Sequence, residues 1–407
     1  MRKPLKYFLI RLSGIIVGLT LLLSGIFKLE DPVGTGLIVD SYWQFFHLGF
    51  LSPLSKAAGW ALSLFEASLG AMLVIGVFKR FSSWAATILI AFFTIITLLL
   101  WIFNPEMDCG CFGKVISLTH GQSLLKNIAL LALSAGVVLP TKGGFNLKKR
   151  RRYPAFALLE GGILFGALYT LFTIPVVDFT PFKPGIEIVG DYSGESGDNG
   201  REMTYIYEKD GVRSEFAISE IPDSSWTYVG TGARTGDTKG DDDALVLSFS
   251  DASGEICDHL ATRDNVMIFS VYDPAGAGES FWRKTAGRMQ DAESAGFKSL
   301  LLTAATHEGM ENELRDCGEA VSSFILSNCY TADRKTLLSL NRANGGATWM
   351  HDGMLVKKWA GCQYPDRDGL SSLMKEDPVE RMMDAETGGR IRFDAFLLYC
   401  LAVALLF

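Results

Sequence analysis

The chain has 407 residues, 48% of them hydrophobic, and 38 Lys and Arg against 45 Asp and Glu give a formal net charge of -7. That length exceeds one ordinary core, so at least two units are expected. The acidic balance, with clusters such as Asp241-Asp242-Asp243, argues against a nucleic-acid footprint.

The first part of the chain is built from apolar runs, and about 20 helical residues suffice to cross a bilayer. Runs of that kind extend from Tyr7 to Phe27, Gly59 to Val77, Trp84 to Phe103, Ser123 to Pro140 and Ala155 to Val176. A sixth candidate, Phe393 to Phe407, is shorter and fits either a crossing with snorkelling arginines or an interfacial helix. Met1-Arg2-Lys3 resembles the charged start of a secretory signal. The run behind it is too long, however, and lacks a small-residue cleavage site.

Basic residues set the expected orientation. Arg2, Lys3 and Lys6, then Lys79 and Arg80, then Lys148 through Arg152 fall on one side, which should be the cytoplasm. The connections holding Asp31 and Asp40, and Glu106 and Asp108, fall on the other, as does everything after the fifth span. In a bacterium with two membranes, the expected location is the inner membrane with the large soluble part in the periplasm, where disulfides persist.

The connection between the third and fourth spans reads Asn104-Pro-Glu-Met-Asp-Cys-Gly-Cys-Phe-Gly-Lys114. Cys109 and Cys111 are separated by one glycine, so a disulfide between them closes a small strained ring that exchanges readily. A redox-active pair, a structural or partner-linked disulfide, and a metal site are all compatible with this spacing. The metal reading lacks a second ligand pair, and His120 alone does not complete one. Glu66 lies inside the second span, where Lys28 and Lys126 could reach it as a polar cluster beneath the cysteine loop. The competing reading has both lysines snorkelling to headgroups and Glu66 neutral. Arg11 reads as an anchor near the end of the first span, and Tyr42 to His47 as an aromatic interfacial segment.

Ser24-Gly25-Ile26-Phe27-Lys28, Asp31-Pro32, Phe65-Glu66, Leu69-Gly70 and Asp108-Cys-Gly-Cys-Phe-Gly113 together resemble the DoxX-like superfamily, and the cysteine motif resembles its MauE branch. The resemblance covers about residues 5 to 140. It implies a four-helix membrane module over 1–140 and, for the MauE type, a part in disulfide formation or maturation of an exported partner. A basic loop and fifth span come next, over 141–177. The quinol-oxidase association of the superfamily name makes a quinone a possible cofactor, although no haem or copper ligand set is visible.

Val177 to Gly185 is a proline-bearing exit from the membrane. Over 178–250 a β-rich segment is expected, with a hairpin of Met203 to Glu208 and Val212 to Ile218 turning at Lys209-Asp210-Gly211, and a mobile loop from Gly230 to Asp243. Over 251–390, strand and helix alternate: Val266 to Tyr272, Glu279 to Ala295, Ser299 to Thr303, helices around Asn312 to Phe324 and Asp333 to Ala343, and a hairpin of Ala347 to Met350 and Met354 to Trp359. That order predicts an α/β thioredoxin-like domain. Residues 391–407 would be the possible terminal span. The combination resembles bacterial proteins in which a DoxX-like module carries a thioredoxin-like domain, through Asp178 to Phe182, Pro222 to Thr227 and the last hairpin.

The position of a thioredoxin Cys-x-x-Cys holds Asp273-Pro-Ala-Gly-Ala-Gly278, and no proline precedes the final hairpin. A degenerate domain that binds a partner is therefore expected. Cys257, Cys317, Cys329 and Cys362 could pair, with Cys317–Cys329 the mildest choice, and Cys400 reads as inert packing. His307 beside Glu308 and Glu311 reads as a solvated cluster. Nucleophile-elbow, Walker and His-Glu-x-x-His signals are absent. Three functions remain open: a thiol–disulfide protein with a periplasmic client, a non-enzymatic membrane scaffold, and a quinone-linked oxidoreductase subunit.

Overall fold

The computed structural model describes residues 3–105, 107, 110, 113, 118–138, 149–189, 201–209, 212–217, 227–235 and 245–406. Cys109 and Cys111 lie outside the described residues. The chain divides into two compact units. One comprises 1–184, 338–348 and 357–407, and the other 185–337 and 349–356.

The first unit begins with α1 (Lys3–Glu30), α2 (Pro32–Phe45), a 3-10 turn, α3 (Ser55–Ile75), α4 (Lys79–Phe103), α5 (His120–Val138) and α6 (Lys149–Phe172). Among the described residues four stretches are long and apolar enough to cross a membrane: Phe8–Glu30, Gly49–Ile75, Lys79–Phe103 and Arg152–Phe172. The shortest has 21 residues, or about 31 Å of helix, which matches the hydrocarbon thickness of a bilayer. Part of their apolar surface faces outward. Phe8, Ile88, Phe92, Ile95, Phe165 and Phe172 are all exposed, as expected where the solvent is lipid.

Helix α3 forms the middle of this unit. One cluster joins it to α1, α6 and the last helix through Leu22, Ile26, Val74, Ile163 and Phe393, and another joins it to α1, α4 and α5 through Val17, Leu21, Leu73, Ile90 and Leu130. Lipid tails are as apolar as these side chains, so close backbone approach has to supply much of the cohesion. Glycines permit it. A Cβ on Gly25 of α1 would stand 2.6 Å from the Ala67 nitrogen, and one on Gly70 of α3 would overlap the Leu22 backbone.

Apolar periodicity does not reveal α2, because Asp31 to His47 lies between spans and its aromatic end reads as an interfacial segment. It is a 14-residue helix with Asp31 as N-cap and Pro32 in the first turn, the residue types that favour a helix start. Its last turn takes in Tyr42 to Phe45, and His47 comes just after at φ 57°.

The remaining helices of the first unit are α11 (Arg367–Leu373) and α12 (Pro378–Leu406). The latter runs unbroken for 29 residues and takes in the terminal apolar run. Gly162 and Gly166 of α6 lie against the rings of Tyr399 and Phe396, and the Tyr399 hydroxyl donates to the Leu158 carbonyl at 2.7 Å. Phe393, Cys400 and Ala404 are buried in the same cluster as the spanning helices.

The second unit and its adjoining hairpin carry β1 (Ile188–Val189), β2 (Arg201–Lys209), β3 (Val212–Ala217), β4 (Thr227–Thr235), β5 (Leu245–Val246), β6 (Phe249–Ser250), β7 (Asn265–Val271), α7 (Glu279–Ala295), β8 (Lys298–Thr303), α8 (His307–Glu313), α9 (Glu319–Ser327), β9 (Cys329–Ala332), α10 (Arg334–Leu340), β10 (Gly346–His351) and β11 (Met354–Trp359). Strands β2, β3 and β4 make an antiparallel sheet with β2 in the middle. The expected hairpin is present. The expected mobile loop is not a loop throughout, since Thr227–Thr235 pairs along β2 while the rest of it lies outside the described residues. Glycine and threonine content there hides a strand that gains its stability from its neighbour.

The other sheet has the order β11-β10-β7-β8-β9-β6, with β7, β8 and β9 parallel and β6 antiparallel at the edge. Six of the seven residues of β7 are buried, the continuous apolar run of a strand covered on both faces. Helix α7 occupies the expected residues and closes on Gly296 at φ 103°, whose N–H bonds back to Ala292 and Glu293. Strand β9 escapes sequence reading because Cys329–Ala332 is too short to show a period. Asp352 and Gly353, both at positive φ, make the two-residue turn between β10 and β11.

The suggested Cys317–Cys329 disulfide does not form. Both thiols are free and buried, Cys329 within β9 and Cys317 ahead of α9, and Cys257, Cys362 and Cys400 are also free. Burial pushes the Cys329 thiol up to about 12, so it carries almost no thiolate at neutral pH. In the folded protein at pH 8, iodoacetamide labelling read by peptide mass spectrometry should mark exposed Cys362 and spare Cys329; equal labelling of both would contradict this packing. Gly25→Val should lower stability by about 1–3 kcal/mol by forcing α1 and α3 apart, read as a lower thermal midpoint in detergent.

Candidate functional site

The last turn of α1 and the first of α2 place four ionisable or capping groups close together in sequence, Lys28, Glu30, Asp31 and Thr35. Each is directed to a different element of the first unit. Lys28 Nζ lies 2.6 Å from Glu66 Oε2 on α3, with side-chain exposures of 11% and 3%, and 5.1 Å from the centre of the Phe93 ring on α4. An ammonium so placed is held by a carboxylate on one side and an aromatic face on the other.

The carboxylate of Glu30 accepts from the backbone N–H groups of Val176 and Val177 beyond α6. The Thr170 hydroxyl of α6 donates to the Leu29 carbonyl at 2.6 Å, and the Thr35 hydroxyl donates to the Lys28 carbonyl at 2.8 Å. The end of α1, where backbone carbonyls lack helical partners, is therefore closed by side chains from two neighbours.

Asp31 does two things. Its Oδ1 accepts the Gly34 N–H at 2.8 Å, capping α2, while its Oδ2 lies 2.8 Å from Arg342 Nη2. The Arg342 side chain is 3% exposed. It is aimed by a turn that Asn341 holds together: the fully buried Asn341 amide donates to the carbonyls of Ala347 at 3.0 Å and Trp359 at 3.3 Å, and its Oδ1 accepts the Ala343 N–H. Gly34 has to be glycine here, because a Cβ would overlap the Asp31 carboxylate and stand 3.1 Å from Arg342. A second buried pair joins Lys358 Nζ to Asp178 Oδ2 at 2.6 Å, with Thr180 Oγ1 at 3.4 Å. Burial holds the Lys358 ammonium below its ordinary range, and Asp178 opposes that shift.

The structure thus brings Lys28 and Glu66 together as the sequence suggested. Lys126 is half-buried on α5, beside the buried Asn127 whose amide donates to Thr97 at 3.3 Å. The cysteine motif is visible through its glycines. Gly110 and Gly113 both have φ of 61°, the left-handed region glycine adopts without strain. A Cβ on Gly110 would collide with Ile38 of α2, and one on Gly113 would meet the Phe27 carbonyl at 3.4 Å and the Lys28 Cα at 3.7 Å. Gly113 therefore lies against the backbone of Phe27 and Lys28, while Gly110 lies on Ile38. Asn341, Arg342 and Lys358 are not legible in the sequence, since nothing near them in the chain names a partner so far away. Among the described residues no group of three or more His, Cys, Asp or Glu could hold a metal ion.

A buried ion pair is costly to break from one side, about 3–5 kcal/mol, because the surviving charge stays desolvated. Asp31→Asn and Arg342→Met should each cause a large drop in stability, and the double variant should lose clearly less than the sum. Denaturant or thermal unfolding of the four proteins measures the coupling, and strict additivity would mean that the pair contributes nothing.

Comparison with known proteins finds family models matching two stretches of the chain. Residues 201–232, which take in β2, β3 and part of β4, match a domain of unknown function, DUF8463. No curated protein and no solved structure matches the chain. Residues 6–140 match the family model described as methylamine utilisation protein MauE, and over that stretch, which holds three of the four apolar helices of spanning length, the chain is similar to MauE-type membrane proteins.

Proposed function

We propose that this is a membrane thiol–disulfide protein in which Cys109 and Cys111 exchange electrons with an exported client. The observation that carries the reading is the place of Gly113, which abuts the backbone of Phe27 and Lys28, the latter paired with buried Glu66. Glu66 compensates Lys28, so removing that carboxylate would leave a positive charge on the helix against which Gly113 packs. Positive charge near a thiol favours the thiolate, the attacking and leaving form in exchange. The match of 6–140 to a methylamine utilisation family supports a part in the maturation of an exported partner.

In the reaction envisaged, two client thiols give up two protons and two electrons and close a disulfide, while the Cys109–Cys111 bond opens to two thiols. A membrane quinone, reduced to the quinol, then restores the pair. The clustering of basic residues at Lys79, Arg80 and 148–152 supports an inner-membrane orientation with the motif on the periplasmic side.

The second unit serves as the client-binding part in this proposal. The order β8-β7-β10-β11, with β7 and β8 parallel and α11 after the hairpin, supports a thioredoxin-like reading. The segment Asp273–Gly278, between β7 and α7, offers no thiol for exchange. The burial of Phe393, Cys400 and Ala404 among the spanning helices supports a crossing by the end of α12.

Membranes poised across a range of glutathione ratios and quenched with a maleimide mass tag provide the test. Cys109 and Cys111 should pass together from oxidised to reduced, and Glu66→Gln should shift the midpoint. A pair locked in one state at every poise, or exported disulfides unaffected by C109S/C111S, would defeat the proposal.

A further inference from the structure

The opposite end of the bundle carries a group of cations that thiol chemistry does not use. Helix α3 ends at Gly76, in the left-handed conformation at φ 78°, and α4 begins at Lys79. Arg11 of α1 reaches this turn and donates to the carbonyls of Leu73, at 2.9 Å, and Val74. Arg152 of α6 reaches it from the other side, with Nη1 3.5 Å from the Gly76 carbonyl. The two guanidinium groups flank Gly76 so closely that a Cβ there would meet Arg11 Nη1 at 3.2 Å and Arg152 Nη1 at 3.7 Å.

Capping the helix accounts for part of this arrangement. The C-terminus of α3 presents the equivalent of about half a negative charge, against three cations in Arg11, Lys79 and Arg152. The three repel one another, and among the described residues none of them makes an ion pair. Lys79 occupies the first turn of the 25-residue α4, where the helix dipole disfavours a cation, and no side chain caps the N-terminus there. Arg152 is only 8% exposed, and its Nε has no hydrogen-bond partner among the described residues. A buried guanidinium N–H with no partner among the described residues, in a patch of uncompensated positive charge, is suited to an anionic acceptor.

All four spanning stretches have an end here, at Phe8, Ile75, Lys79 and Arg152, so the patch lies at the headgroup depth of one leaflet. We propose that Arg11, Lys79 and Arg152 form a binding site for the phosphate of an anionic phospholipid, set at the junction of α1, α6 and the turn from α3 to α4. The outward-facing apolar surfaces of α1, α4 and α6 give the acyl chains of such a lipid their natural place, which a free phosphate ion would not use.

The full-length protein, reconstituted in nanodiscs of phosphatidylcholine alone or with phosphatidylglycerol, tests this. Phosphatidylglycerol should raise the thermal midpoint of the wild type and remain bound after gentle detergent release in native mass spectrometry. Lys79 donates to no α3 carbonyl among the bonds around this turn, so Lys79→Gln should fold normally in phosphatidylcholine and bind phosphatidylglycerol about fivefold more weakly. Arg152→Gln should lose retention altogether while also loosening the α3 cap. Equal retention of the two lipids, or undiminished phosphatidylglycerol binding by Lys79→Gln, would overturn the site. Stabilisation by millimolar inorganic phosphate in phosphatidylcholine discs, with none from phosphatidylglycerol, would overturn its assignment to a lipid.

Discussion

The carboxylate of Asp31 is the point on which the first unit depends. One oxygen starts α2 and the other neutralises a buried arginine. Capping fixes the carboxylate at the end of α1, and that fixed position lets Arg342 be buried at an acceptable cost. Around it, Lys28 takes Glu66, Glu30 takes the chain leaving α6, and Lys358 takes Asp178. Polar groups of this kind are expensive in an apolar surrounding unless every one is matched. Matched, they specify which helix ends belong together more sharply than apolar contacts do.

The same end of the bundle receives Gly110 and Gly113. Both glycines have left-handed backbone, Gly110 against Ile38 and Gly113 against the end of α1, so packing leaves no room for a side chain at Gly110. At the far end, Arg11 and Arg152 close α3 by donating to its carbonyls. The two ends thus solve the same problem, unsatisfied groups at helix termini, with charges of different balance: paired at one end and in positive excess at the other.

Much of this is legible from residue types. Long apolar runs mark the spanning helices, a charge inside a span marks Glu66, and Lys28 lies at a depth from which it can reach it. The alternation of strand and helix locates α7, β7, β8 and the β10–β11 hairpin to within a few residues, because each carries a strong period or a turn dipeptide. Local pattern fails where stability comes from elsewhere. Strand β4 is rich in glycine and threonine and owes its form to β2, β9 is too short for a period, and α2 rests on a cap and a proline that signal a helix only in partnership with Gly34 and Arg342. Arg342 and Lys358 are invisible for a different reason. A lone basic residue in a turn or a strand says nothing about a carboxylate far away in the chain. Cys317 and Cys329 look pairable because sequence counts thiols without showing that each is buried in its own surroundings.

The make-up of the first unit sets an order of events during synthesis. It draws on 1–184 and then on 338–348 and 357–407, so the helices made first cannot complete their charge pairing until much later residues exist. While the ribosome is still making the intervening stretch, Asp31 has its cap but not its arginine, and Asp178 waits for Lys358. N-terminal segments generally fold first, yet here they are left with unmatched carboxylates through most of translation. A chain cut short before Arg342 would keep α1 to α6 and lose α12 together with these pairs, so truncated products would be marked by unmatched acidic groups at the end of the bundle. Membrane quality control could then distinguish a finished molecule from an unfinished one by charge alone.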